Sequence, residues 1–170
     1  MFDWTASEWG LRQLCFFIFV MLTGTLLHAN DAAPWAGLLS AADDSIRERC
    51  KRFSVPVLLY AASELLCYGR GAAVLLPIRM LSLLYGCCLY MGLLAAVRLI
   101  QSKRWRRFAE KIVFPLVTGE AALLGFVLLR DGYCRNDRAP LLGLLGLFAA
   151  IALHLLTYCR RVGHGFRSAR

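Results

Sequence analysis

The sequence lacks the short motifs by which enzymes and metalloproteins are commonly recognised. It contains no Cys-x-x-Cys pair and no Cys/His spacing that suits zinc. It has no His-Glu-x-x-His and no glycine-rich phosphate loop. Every aspartate lies outside the apolar runs, which excludes the paired intramembrane aspartates of aspartyl membrane proteases. We therefore expect no catalytic residue, no metal and no cofactor, and the sequence gives no support for an enzyme.

One cofactor alternative rests on two histidines. His28 and His154 are both predicted near the same end of their apolar runs, where two axial imidazoles could hold a haem. Their predicted depths differ by about one helical turn. A single histidine within an apolar helix serves more simply as a hydrogen-bond donor in helix packing, so the haem alternative ranks below the others.

The composition indicates a membrane protein. The chain is 59% hydrophobic, with a mean hydropathy of +0.56, whereas soluble domains are roughly 45–50% apolar. Its charged residues gather in short connectors between long apolar runs. The predicted fold is an all-α bundle in one domain, residues 1–170, with five transmembrane helices.

Positive charge is grouped in a way that predicts topology. Fourteen of the twenty Lys and Arg residues fall in three clusters, at 47–52, 98–111 and 160–170. Basic flanks of apolar spans stay on the cytoplasmic side, so we expect an outside N-terminus and a cytoplasmic C-terminus. The same rule explains the net charge of +9 without nucleic acid, and it predicts contact with an anionic cytoplasmic leaflet.

The spans follow from the lengths of the apolar runs. A Thr5/Glu8 capping box predicts a helix start near Ala6. The start of the chain lacks the basic region of a secretory signal, so we expect the first run to be retained. The second run is short, and a re-entrant segment is its alternative. The five predicted spans are about 11–29, 53–68, 72–97, 112–129 and 141–158.

Three ionisable residues lie inside these runs. Placing an ionisable side chain within a membrane costs free energy, so we expect each to have a polar partner or a functional role. Glu64 and Arg79 flank the tight turn at 69–71, roughly 9 and 14 Å below it, so they can meet across a hairpin. Glu120 is predicted near the bilayer centre among small residues. It either pairs with Arg79 or stays protonated. One interpretation is a proton or ion site built by all three residues, and the other is a set of structural helix contacts.

Two further surfaces are predicted. Gly143, Gly146, Ala150 and His154 share one helix face and form a small-residue packing seam. Lys103, Arg104, Trp105, Arg106 and Arg107 interleave bases with an aromatic ring, which is typical of an anchor to anionic lipid.

These features favour a non-catalytic subunit or assembly factor of a larger membrane complex, in contact with other membrane subunits or with copies of itself. The alternative is a small proton- or ion-coupled transporter or channel that uses Glu120 with Arg79 and Glu64. The expected location is the cell membrane, with an organellar membrane as the other possibility.

Overall fold

The computed structural model is all-helical over the residues it describes, which are 6–29, 46–68, 75–132 and 141–152. This part of the chain forms five helices. They are α1 (Ala6–Ala29), α2 (Ile46–Tyr68), α3 (Leu76–Arg98), α4 (Lys103–Arg130) and α5, described over Leu141–Ala152.

Three of these helices are long and apolar enough to cross a membrane, namely α1, α3 and α4. The helix α2 is as long as α3, at 23 residues. It carries five charged residues between Ile46 and Phe53, which lowers its hydropathy below that of the other three. The described part of α5 is apolar but shorter.

The first four helices pack in a ring in which each contacts the next and α4 closes against α1. Gln13 near the start of α1 meets Arg79 near the start of α3, so these two helices run parallel across the ring. Glu64 near the end of α2 meets the same arginine, so α2 runs antiparallel to both. The described linker from α3 to α4 is only residues 99–102, which forces an antiparallel α4.

Aromatic rings packed on glycines bring the helices close in the core. The Phe53 ring of α2 occupies the position that a Cβ at Gly86 of α3 would take. In the same way, the Phe114 ring of α4 packs on Gly24 of α1, where an ideal Cβ would lie 2.5 Å from the ring. Tyr90 of α3 contacts Phe114 edge to face, with centroids 6.4 Å apart.

A proline in α2 accompanies a close backbone approach between α1 and α2. Pro56 has no N–H to donate to the carbonyl of Arg52, four residues earlier. Gly24 lies against that carbonyl, and a Cβ there would stand 2.8 Å from its oxygen. Although Pro56 is inside α2, the helix is continuous from Ile46 to Tyr68.

Two helix starts differ from the sequence prediction. The prediction placed residues 46–52 before the second span, where a short separate helix could run through Arg52, and residues 98–111 in a connector between spans. Instead, α2 begins at Ile46 and α4 begins at Lys103, so most of both basic clusters is helical. Lys, Arg and Glu favour helix, so these residues end the apolar run without ending the helix.

Candidate functional site

A buried ion pair joins α2 to α3 near one end of the ring. Glu64 lies in the second-last turn of α2 and Arg79 in the first turn of α3. Arg79 Nε donates to Glu64 Oε2 at 2.8 Å, and Arg79 Nη2 donates to Oε1 at 2.9 Å. The pairing expected from the sequence is therefore present, in the bidentate geometry that makes Arg–carboxylate contacts strong.

A third residue completes this group and was missed from the sequence. Arg79 Nη1 donates to Gln13 Oε1 of α1 at 2.8 Å. Gln13 is 5% exposed, and its amide lies against Gly125 of α4, where a Cβ would stand 2.9 Å from Oε1. Gln13, Glu64 and Arg79 thus form a polar cluster that all four helices of the ring enclose. The spacing of Gln13, Phe16 and Val20 on one face of α1 was the available signal.

Two aromatic rings cover the guanidinium of the polar cluster. Its Cζ atom lies 4.5 Å from the centroid of Phe16 and 4.9 Å from that of Tyr60. These are distances at which a ring attracts a cation. The Tyr60 hydroxyl in turn donates to the Arg12 carbonyl at 3.3 Å, which is a direct hydrogen bond between α2 and α1. Arg79 is left only 1% exposed.

Within the polar cluster, the charged groups of Glu64 and Arg79 satisfy each other. Both oxygens of Glu64 accept hydrogen bonds from Arg79, and Glu64 is only 5% exposed, so a proton or a cation would have to compete with the guanidinium for a buried carboxylate. Separating a buried pair leaves an uncompensated charge, which typically costs about 3–5 kcal/mol. The geometry is therefore suited to fixing how the helices pack.

Two polar atoms near this cluster have no hydrogen bond within the described part of the chain. They are Gln13 Nε2 and the hydroxyl oxygen of Ser82. Ser82 follows Arg79 by three residues on α3 and is completely buried. The same buried region therefore holds spare hydrogen-bonding capacity beside its ion pair.

Glu120 lies apart from the polar cluster, so the predicted alternative in which it pairs with Arg79 is wrong: the guanidinium binds Glu64 and Gln13. Glu120 is exposed on α4. The small residues around it face the other way, because Thr118, Ala121 and Gly125 are buried in the ring. The three ionisable residues of the predicted transport site therefore do not converge: the structure brings two together and leaves the third on the outside.

Glu120 lies within an apolar surface of α4 that we call the outward stripe. Its members recur at intervals of four, three and four residues, which places them along one side of the helix. All of them are exposed: Leu116, Glu120, Leu123 and Val127.

The glycines of the predicted packing seam contact α3. Gly143 is buried, with its Cβ position 2.7 Å from the Pro77 nitrogen. Gly146 faces Met80, where the corresponding distance to Cγ is 3.2 Å. Ala150 packs against the core. His154, the last predicted member, lies outside the described residues.

The predicted lipid-contacting segment forms the first turns of α4. Lys103, Arg104, Trp105 and Arg107 are exposed, and Arg106 is half-buried. The Trp105 ring contacts Phe108 nearly edge to face, with centroids 6.2 Å apart. No acidic residue lies in the first turn of the helix.

Neither a cofactor nor a known protein identifies the chain. The His28 side chain and His154, on which the haem alternative rests, lie outside what the structure describes. Within the described ranges no three His, Cys, Asp or Glu side chains are grouped as metal ligands would be. In comparisons with known proteins, no family model matches the chain, no curated protein matches it, and no solved structure matches it.

Proposed function

We propose that the chain is a multi-pass membrane protein of the cell membrane. The support is that three charged residues are buried inside the bundle, whereas many large apolar side chains are exposed on its outside. Lys51, Glu64 and Arg79 are buried. Leu22 of α1 and Leu84 of α3 are 58% and 64% exposed. Such a surface is unfavourable in water and natural in lipid, where polar groups collect between helices.

The proposed topology has five spans, with the N-terminus outside and the C-terminus in the cytoplasm. It is supported by the common location of the first two basic clusters, since α2 and α4 both begin with them and run in the same direction. Reporter tags at the two termini of the chain in intact cells test this topology. We expect only the N-terminal tag to be accessible from outside, and an externally accessible C-terminal tag contradicts it.

We propose further that the protein is a non-catalytic subunit or assembly factor of a larger membrane complex. The observation that carries this proposal is Glu120 in the middle of the outward stripe. It stands eight residues from Ile112 and ten from Arg130, so roughly 12 and 15 Å separate it from the ends of that apolar segment. An ionisable side chain at such a depth costs on the order of 3 kcal/mol if it meets only lipid.

A helix of another membrane chain is the partner that best relieves this cost. A basic or hydrogen-bond-donating side chain at mid-depth pairs with the Glu120 carboxyl, and leucines beside it pack on Leu116 and Leu123. A second copy of α4 is a poorer partner, because it brings another carboxyl to the same depth. Self-association through this stripe is therefore the weaker form of the proposal.

The transport alternative has less support. It needs Glu64, Arg79 and Glu120 to act on one solute or proton. Glu64 and Arg79 already satisfy each other, and Glu120 is exposed on the other side of α4.

Purification from native membranes in mild detergent tests the subunit proposal. We expect the wild-type protein to elute with at least one other membrane chain at fixed stoichiometry. Glu120→Leu removes the hydrogen-bonding group and should release that chain, whereas Glu120→Gln keeps an acceptor and should retain most of it. Leu22→Ala, on the exposed face of α1, is the matched control and should leave the complex intact.

Two results would decide against this function. One is a wild-type protein that carries only detergent and lipid. The other is Glu120→Gln abolishing proton or ion flux in proteoliposomes while the complex stays assembled, which favours a transporter instead.

A further inference from the structure

The first turns of α4 carry a group of cations that the proposed subunit function does not use. Lys103, Arg107 and Lys111 recur every four residues along one side, and Arg104 lies beside them. All four are exposed. None of them forms an ion pair or a hydrogen bond with another described side chain. Like charges one turn apart destabilise a helix slightly, and an anionic occupant would relieve that repulsion.

These cations surround a defined space. A shallow cleft of about 490 Å³ is lined by Lys103, Arg104, Arg107, Phe108 and Lys111. A neighbouring cleft of about 380 Å³ is lined by Arg104, Trp105 and Phe108. The two clefts share Arg104 and Phe108, so they form one continuous surface lined by both cations and aromatic rings.

The aromatic side of this surface distinguishes a lipid from a soluble anion. Trp105 and Phe108 are 65% and 56% exposed. Both precede Ile112, where the apolar part of α4 begins, which is the level at which tryptophan meets lipid headgroups. A free phosphate gains nothing from two exposed rings, whereas a phospholipid can place its phosphate among the cations and its glycerol and upper acyl carbons on the rings.

We propose that the start of α4 binds the headgroup of an anionic phospholipid through Lys103, Arg104, Arg107 and Lys111. Trp105 and Phe108 contact the part of the lipid beneath its phosphate. The inference rests on the proposed membrane placement of the bundle. It does not depend on Glu120 or on any protein partner.

Quenching of tryptophan by brominated lipid measures this binding directly. Replacing Trp4, Trp9 and Trp35 with Phe leaves Trp105 as the single fluorophore beside the cleft. The full chain is reconstituted in phosphatidylcholine nanodiscs. In one series the mole fraction of brominated phosphatidylglycerol is increased, and in the other the mole fraction of brominated phosphatidylcholine, the neutral lipid, is increased. We expect the anionic lipid to quench Trp105 at a several-fold lower mole fraction than the neutral one.

The variants locate the site. Replacing all four cations with Gln should abolish the preference for phosphatidylglycerol, and each single replacement should weaken binding by about fivefold. Arg130→Gln, at the other end of α4, removes one exposed cation and should change nothing. Inorganic phosphate at millimolar concentration should not relieve the quenching.

The outcomes separate this inference from the proposed function. Failure of the chain to enter nanodiscs counts against the membrane placement itself. Normal insertion with equal quenching by both lipids overturns the lipid site alone, as does a preference that survives the fourfold Gln variant. Relief of quenching by inorganic phosphate overturns the lipid as the source of the anion.

Discussion

The guanidinium of Arg79 and the carboxylate of Glu64 meet edge to edge, with two hydrogen bonds of 2.8 and 2.9 Å, inside a bundle whose outer surface is apolar. The two residues are only 15 positions apart in the chain, and they hold the end of α2 to the start of α3. The Gln13 amide extends this contact to α1. Arg79 therefore makes both a contact with a residue close to it in the chain and a contact with the distant helix α1.

The first prediction concerns the two charges of this pair. Arg79→Leu or Glu64→Leu alone leaves a buried charge without its partner and should lower the free energy of unfolding by about 3–5 kcal/mol. The double variant removes both charges, so its loss of unfolding free energy should be much smaller than the sum of the losses in the two single variants. The measurement is an SDS titration in detergent micelles, followed by circular dichroism. Additive losses in this cycle would contradict the pairing.

The second prediction concerns the space that Gln13 occupies. Gly125→Ala places a Cβ about 2.9 Å from Gln13 Oε1, an atom that Arg79 holds in position. We expect a loss of about 1–3 kcal/mol, as for other overpacked cores. In a Gln13→Ala background the clash is absent, so the same change should be neutral or stabilising.

Gly92→Ala is the matched control for Gly125→Ala. Gly92 is helical, and no atom lies within 4 Å of its Cβ position. Alanine there should stabilise α3 by up to about 1 kcal/mol in the same titration. If Gly92→Ala and Gly125→Ala have equal effects, the close approach of Gln13 to α4 is not present in solution.

Helical geometry explains which parts of the fold could be predicted. Counting outward from the turn at 69–71 placed Glu64 and Arg79 within about one helical turn of each other in depth, which is within reach of their long side chains, because the rise per residue of a helix is fixed. The sequence did not show that the basic residues continue the same helices as the apolar runs, because hydropathy reports solvent preference, and basic residues are good helix formers.

The position of Glu120 shows a second reason why part of the candidate site could not be predicted from the sequence. Its spacing from Leu116 and Leu123 is in the sequence, and so is the opposite face of small residues that packs into the ring. What the sequence does not state is which of the two faces meets another helix of the same chain. Gln13 was missed for a related reason, since a neutral amide in an apolar run is flagged only when its charged partner is known.

The third prediction compares two glycines of the packing seam. A Cβ at Gly143 meets the backbone nitrogen of Pro77 at 2.7 Å, and backbone cannot move aside. A Cβ at Gly146 meets the flexible side chain of Met80 at 3.2 Å. Gly143→Ala should therefore cost about 1–3 kcal/mol of stability, whereas Gly146→Ala should stay within about 1 kcal/mol of wild type.

The same pair of variants shows where the seam acts. Because both glycines face α3 of their own chain, we expect the loss of unfolding free energy in Gly143→Ala, and the difference between the two variants, to be the same at any protein concentration. A purely concentration-dependent effect, seen as dissociation of a complex with no change in the stability of the chain itself, would place the seam between chains instead.

The last prediction compares two glycines of α1. A Cβ at Gly24 lies 2.5 Å from the ring of Phe114 and 2.8 Å from the carbonyl oxygen of Arg52, whereas Gly10 has no atom within 4 Å. Gly24→Ala should therefore destabilise the bundle by about 1–3 kcal/mol, and Gly10→Ala should not destabilise it.

A smaller side chain at position 114 separates the two causes of strain at Gly24. Phe114→Leu removes the ring from the Cβ position but leaves the Arg52 carbonyl, which the main chain of α2 fixes in place. We therefore expect this change to rescue Gly24→Ala only in part, in the same unfolding titration. Full rescue would mean that α1 and α2 are not in backbone contact there, and no rescue would mean that the carbonyl alone sets the limit.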